Sequence, residues 1–226
     1  MELAIDTSTD TASICLSSQG RVAAEFTWRA GQNHTAELVP NIVSLLAQAG
    51  SSIGKISGIV VATGPGSFNG LRVGMSVAKG LSLALGIPLV GVGTLEVEAF
   101  PYAGTGLPIC PVLNAGRGEI ATALFQTVRA SWCRLREEHI TTVEVLLSEV
   151  TGRTVFCGVI PDEAAFEIRR KLGRKALIMG GGGALRRSGY LAELGWRRLK
   201  DGDFDHSPTL QPLYLRRPAI TISARK

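Results

Sequence analysis

Between residues 56 and 85 the chain passes from a β-branched apolar run at 56–63 into a helix-like apolar stretch ending at Leu85. The joint is Gly64-Pro65-Gly66-Ser67-Phe68-Asn69-Gly70-Leu71-Arg72. The first run has the length of a buried strand, and 71–85 has the length of a helix. A Gly-rich turn in that setting points helix N–H groups either at an anion or at neighbouring backbone.

Two phosphate-binding patterns come close and neither is met. A Walker A loop ends in Gly-Lys-Ser/Thr, because the lysine neutralises phosphate and the hydroxyl holds magnesium. Here Gly70 is followed by Leu71 and Arg72. The dinucleotide fingerprint needs glycines at relative positions one, three and six; Gly64 and Gly66 fit, but the sixth position is Asn69 and no acid follows near Val90. The alternative is a tight strand-to-helix turn capped by Asn69 or Ser67. The segment alone leaves both a structural turn and a ligand or partner contact open.

The opening of the chain predicts strands at Glu2–Asp6, 11–16 and 21–28, joined by polar turns. A helix is expected over 35–49, where Ala36, Val39, Ile42, Val43, Leu46 and Ala49 follow the 3.6 period and Gly50 ends the run. A short strand follows at 87–92, and the Pro, Gly and Thr of 100–108 mark a lobe boundary. Beyond it, strands are expected at 109–113, Glu119–Val128, 140–143, Thr154–Cys157 and 176–179. Helices are expected at Asp162–Leu172 and 190–200, with a Gly loop at 180–183 and a tail at 210–217. Both halves thus open strand, polar turn, strand, without a sequence repeat of fixed period.

Asp6-Thr7-Ser8-Thr9, at a strand end, can hold a magnesium–phosphate group or satisfy its own backbone as an Asx or Ser/Thr turn. His34 is followed one helical turn later by Leu38, so a helical metal pair is missing; a cap or surface role is expected. No Gly-x-Ser-x-Gly elbow supports a serine nucleophile. The stretch 71–85 is apolar or small on nearly every face, carrying only Arg72 and Lys79 as charges. Such a helix is buried on more than one side, against the chain's own sheet and first helix or against a second subunit.

The four cysteines, Cys15, Cys110, Cys133 and Cys157, form no CxxC pair and predict buried thiols of a cytosolic protein. No basic leader or apolar h-region opens the chain, and 81–93, broken by Gly86 and Pro88, is too short to span a membrane. The net charge of +5 is uneven: residues 1–113 carry five Lys/Arg against seven Asp/Glu, and residues 114–226 nineteen against twelve. The excess lies in Arg169-Arg170-Lys171, Arg186-Arg187, Arg197-Arg198 and Arg216-Arg217. Such clusters suit a solvated helix face or a nucleic-acid contact, though no interleaved aromatic platform is evident.

Several of these segments together resemble the TsaB (YeaZ) family, relatives of TsaD and of the glycoprotease-like proteins. They are Asp6-Thr7-Ser8-Thr9, the stretch from His34 to Pro40, the loop 64–72 with Val73-Gly74, and Pro212-Leu213-Tyr214-Leu215-Arg216. The likeness is strong over 1–100 and at the tail, and loose over 115–205. It implies an α/β, two-lobed actin-like ATPase fold (ASKHA, ribonuclease H-like) with mixed sheets, its lobes at 1–100 and 101–226. The second lobe would be smaller and degenerate.

The resemblance further implies a non-catalytic, cytoplasmic subunit without metal or catalytic residues. It would pair with TsaD and the ATPase TsaE during threonylcarbamoyl transfer to N6 of adenosine 37 of tRNA. It would form a homodimer when isolated and meet tRNA through the complex. By family likeness the pairing helices are 35–49 and 71–85, with Leu38, Val39, Ile42, Gly70, Leu71, Arg72, Gly74, Met75, Ala78 and Leu81 at the interface. Gly74→Arg or Ala78→Arg is then expected to break pairing without unfolding the chain. Asp6, Thr7, Ser8 and Thr9 would be a vestigial phosphate loop, with no cofactor expected unless a nucleotide sits between the partners. The chain departs from the family in two places. Asn69 replaces the usual Thr, Asn114-Ala115-Gly116 replaces Asp-Ala-Arg, and Arg117 stands one place later while Glu119 is kept. An ASKHA-type phosphotransferase or ATPase is the alternative.

Overall fold

A computed structural model describes residues 1–180 and 185–216. The first half runs β1 (Glu2–Asp6), β2 (Thr11–Ser18), β3 (Arg21–Arg29), α1 (His34–Gln48), β4 (Gly58–Ala62), α2 (Phe68–Leu85), β5 (Leu89–Val92) and α3 (Thr94–Ala99). The second runs β6 (Ile109–Gly116), β7 (Glu119–Val128), β8 (Ser131–Thr141), α4 (Val143–Glu149), β9 (Thr154–Cys157), α5 (Asp162–Leu172), β10 (Ala176–Ile178) and α6 (Ser188–Lys200).

The two five-stranded sheets have the same topology, β3-β2-β1-β4-β5 and β8-β7-β6-β9-β10, with helices inserted at the same points. In each, a meander of antiparallel strands is extended by parallel strands reached through helices. β1 is central, and all five of its residues are buried. Leu3 and Ile5 meet Leu38, Ile42, Met75 and Ala78 of α1 and α2. Ala4, pointing the other way, joins Leu191, Ala192 and Leu194 of α6.

The helices do not respect a division at residue 100. Although α6 follows the second sheet, it packs on the first, across all five of its strands. Conversely, Leu95 and Ala99 of α3 pack with Ile109, Leu113 and Ala121 of the second sheet. This exchange joins the lobes, and no local pattern encodes it.

One local expectation is corrected. The strand at 140–143 is the end of the longer β8, after which the chain turns into α4. The Thr142 hydroxyl accepts the Val145 N–H, and Leu146 and Leu147 bury one face of the new helix. Charged Arg134, Arg136, Glu137 and Glu138 masked the rest of β8, which is a solvent-facing edge strand. The glycines at 181–183 and Arg217 lie outside the described residues.

Candidate functional site

The Gly-rich loop and the Asp6 loop form one unit. Ser67 N–H donates to the Ser8 carbonyl at 2.7 Å, and Ser67 Oγ caps α2 by accepting Gly70 N–H at 3.3 Å. A Cβ on Gly66 would lie 2.1 Å from the Ser8 carbonyl oxygen, and one on Gly70 2.1 Å from that of Thr7. On Gly74 it would meet Thr7 Oγ1 at 2.3 Å. These glycines therefore let the start of α2 lie directly on backbone after β1. The loop is a strand-to-helix turn capped by Ser67 rather than Asn69.

The side chains of Asp6, Thr7, Ser8 and Thr9 are all engaged within the chain. Thr7 Oγ1 donates to the Gly70 carbonyl at 2.7 Å, while Ser8 N–H and Oγ donate to Asp6 Oδ1 at 2.9 and 2.7 Å. His34, expected as a cap or surface group, is instead buried and meets the Thr9 carbonyl through Nε2 at 2.8 Å.

The remaining Asp6 oxygen belongs to a residue 180 positions away. Arg186 donates from Nε to Asp6 Oδ2 at 2.5 Å, from Nη1 to Glu98 Oε1 at 2.8 Å and from Nη2 to Thr9 Oγ1 at 2.8 Å. All three charged groups are buried, with Asp6 1%, Glu98 5% and Arg186 7% exposed. Burial raises the Glu98 carboxyl above its ordinary value, against the opposing pull of Arg186. Burial alone would lower the Arg186 guanidinium, but Asp6 and Glu98 hold it above its usual value.

A guanidinium thus stands where a phosphate loop would receive its anion. The residues do not fit the magnesium–phosphate group that this fold class implies at the end of β1. At Asp6, Thr7, Ser8 and Thr9, expected as a vestigial phosphate loop, the carboxylate already holds a cation and each hydroxyl has a partner. Among the described residues no His/Cys/Asp/Glu group could hold a metal ion. Arg186 looked like part of a surface cluster, because its partners are far away in sequence. Glu98, among Val97, Ala99 and Phe100, carried the better signal of a buried charge.

The tail closes over the cleft between the lobes. Leu213 N–H donates to the Thr63 carbonyl at 2.7 Å, and Tyr214 packs on Phe68 with ring centroids 5.1 Å apart. Arg72 stacks on the Phe68 ring at 3.8 Å and donates to the Tyr214 hydroxyl at 3.2 Å. Arg216 pairs with Glu119 and donates to the Ala115 carbonyl at 3.2 Å. Below lies a cavity of about 300 Å³ bounded by Pro65, Phe68, Asn114 and Ala115. The altered segment turns on itself, with Asn114 Oδ1 accepting Gly116 N–H at 2.8 Å.

The helix pair needs a second correction. Leu38, Ile42, Gly70, Leu71, Gly74, Met75 and Ala78 are buried inside the chain and cannot meet a partner in this structure. Arg72 is exposed but engaged by the tail, and Leu81 is half-buried. The expectation that Gly74→Arg or Ala78→Arg leaves the fold intact fails with them, since neither site has room for the side chain. The outward stripe of α1 is Ala36, Val39, Pro40, Val43 and Ala47; that of α2 includes Ser76, Gly80, Leu83 and Ala84. Val39, Val43 and Leu83 are 49%, 61% and 83% exposed. Here the 3.6 period marks two faces per helix, and the periodic residues of α1 mix them: Ile42 and Leu46 are buried, while Ala36, Val39 and Val43 are exposed.

The second lobe's basic clusters are also largely spent. Arg187 pairs with Glu25, Arg197 with Glu193, and Arg198 with Asp203 and Asp205. The absence of interleaved aromatics does not hold, because Tyr190 and Trp196 share a groove with Arg187 and Arg197.

The family described as "TsaD: tRNA N6-adenosine threonylcarbamoyltransferase" matches residues 28–174. The chain belongs to this family, within its TsaB (YeaZ) group. It is 39% identical over 124 residues to the tRNA threonylcarbamoyladenosine biosynthesis protein TsaB of Bacillus subtilis, covering 55% of this chain and 54% of that one. The Escherichia coli protein of the same name is 39% identical over 126 residues, with the same coverage. The aligned region spans about half the length of these relatives. The solved YeaZ from Pseudomonas aeruginosa superposes with a TM-score of 0.79 at 21% identity, covering 95% of this chain and 99% of that one. With the ethanolamine utilization protein EutJ of Carboxydothermus hydrogenoformans (TM-score 0.50, 13% identity), it places the fold in the two-lobed actin-like ATPase class. No described helix is long and apolar enough to cross a membrane.

Proposed function

We propose that the chain is a non-catalytic accessory subunit for making threonylcarbamoyladenosine in tRNA, pairing with a TsaD-like protein through the outer face of α1 and α2. A TsaE-like ATPase joins that assembly, and the same face pairs two copies when the partner is absent. The observation that carries the proposal is Arg186 in the Asp6 loop: a chain whose anion site holds its own guanidinium contributes by docking, not by turning over nucleotide. The names of the relatives supply the pathway. The exposed apolar and small residues of two adjacent helices supply the docking face, since such a stripe is costly to leave in water and lets another helix approach closely.

The test is Val43→Arg together with Leu83→Glu, at positions where space is open. Co-purification with the organism's TsaD-like protein should be lost, and modification of tRNA in the reconstituted mixture with it, while the melting temperature stays within a few degrees. Undiminished pairing refutes the face. Saturable ATP turnover by the isolated chain refutes the accessory role and favours the phosphotransferase alternative.

A further inference from the structure

We infer that the groove between the β2–β3 turn and α6 is a binding surface for the phosphate backbone of an RNA strand. The groove holds about 640 Å³ and is lined by Arg21, Arg187, Tyr190, Trp196, Arg197 and Lys200. Two of its four cations are neutralised: Arg187 by Glu25 at 2.6 Å and Arg197 by Glu193 at 2.7 Å. The side chains of Arg21 and Lys200 have no ion-pair or hydrogen-bond partner among the described residues, and both residues are exposed. Nor do the Tyr190 hydroxyl and the Trp196 indole N–H have a hydrogen-bond partner there. One open groove therefore gathers two uncompensated cations and two free neutral donors, which is the chemistry that receives phosphate oxygens.

The groove is built, not incidental. Gly20 brings the turn against Trp196, where a Cβ would lie 2.9 Å from the indole. Gly189 N–H donates to Glu25 Oε1 at 2.8 Å, fixing the start of α6 against β3. The two walls come from chain segments about 170 residues apart, so the sequence alone shows no patch.

Its position matters as much as its charge. α6 covers the face of the first sheet opposite α1 and α2, because Ala4 and Leu3 of β1 point to different helices. A partner seated on α1 and α2 leaves the groove open, so RNA and partner can be held together. The choice of RNA over other polyanions rests on the accessory-subunit proposal, whose substrate is tRNA.

The experiment measures binding of a tRNA transcript to the full chain by fluorescence anisotropy between 50 and about 200 mM salt, for the parent and for Arg21→Glu/Lys200→Glu. Each phosphate contact contributes about 0.7–0.9 to the slope of log affinity against log salt. The double variant should therefore lose between one and two units of slope and about tenfold or more in affinity at low salt, with unchanged melting. Inorganic phosphate at matched ionic strength should compete weakly; full displacement identifies a small-anion site and overturns the proposal. Parental affinity and slope in the variant overturn it too, as does a parent that fails to bind RNA at low salt. Pairing with the TsaD-like protein is measured on the same samples. A variant that pairs, modifies tRNA and binds RNA like the parent removes the groove and leaves the accessory role standing. A parent that binds RNA through Arg21 and Lys200 but never pairs does the reverse.

Discussion

Replacing Arg186 with methionine should cost about 3–4 kcal/mol, a magnitude that follows from what it leaves behind. Methionine fills much of the space but donates nothing, so two buried carboxylates, Asp6 and Glu98, lose their shared cation. Removing one partner of a buried ion pair typically costs about 3–5 kcal/mol, because an uncompensated charge remains out of water. Two features limit the cost here. Asp6 keeps the Ser8 N–H and hydroxyl, and Glu98, already raised by burial, can take up a proton once Arg186 no longer opposes it. At about 2–4 °C per kcal/mol for a chain of this size, the melting temperature should fall by roughly 6–16 °C.

The sign with pH is the sharper test. A carboxyl whose folded pKa lies above its unfolded value binds more protons in the native state, so stability falls as pH rises between the two values. Losing Arg186 raises the folded value further, so the deficit of the variant should narrow from pH 8 towards pH 5. Urea unfolding of parent and variant across that range measures it. Arg187→Met, which removes an exposed guanidinium from Glu25, is the comparison and should cost under about 1 kcal/mol. A deficit below about 1 kcal/mol at pH 7, or one that widens towards acid, would refute the view that Arg186 neutralises the loop.

Two further outcomes follow from the same packing. Gly74→Ala forces a methyl to within 2.3 Å of a hydroxyl pinned to Gly70 and should lose about 1–3 kcal/mol in denaturant unfolding. Gly80→Ala, on the open side of the same helix, should be neutral or gain up to about 1 kcal/mol from helix propensity; equal effects at both sites would contradict the contact of α2 with the Thr7 loop. A maleimide should label one thiol per native chain, Cys133, and all four after unfolding. Burial pushes Cys15 up to about 12 and Cys110 to about 11, and Cys157 well above the usual thiol value. Rapid native labelling of a second thiol would show that the sheets open.

What could be read from the residues was what depends on near neighbours. Runs bounded by polar turns gave β1, β2 and β7, a period of 3.6 gave α1, and Gly64, Gly66 and Gly70 announced backbone in close approach. Edge strand β8, with charges along it, and the short helices α3 and α4 gave weak periodic signals and were missed or shortened. The apolar helix 71–85 showed that it was buried, yet its pattern could not say which residues faced the sheet and which faced outward. That depended on the angle at which Ser67 and the Thr7 carbonyl seat the helix. The same limit governs the sites. A loop of one carboxylate and three hydroxyls has the same local sequence whether it receives phosphate or an arginine. Only the return of the chain to the first sheet, carrying Arg186 180 residues from Asp6 into a space closed to water, decides between them. The burial of α6 over β1 makes that return favourable, and it is a property of the packed molecule rather than of any segment.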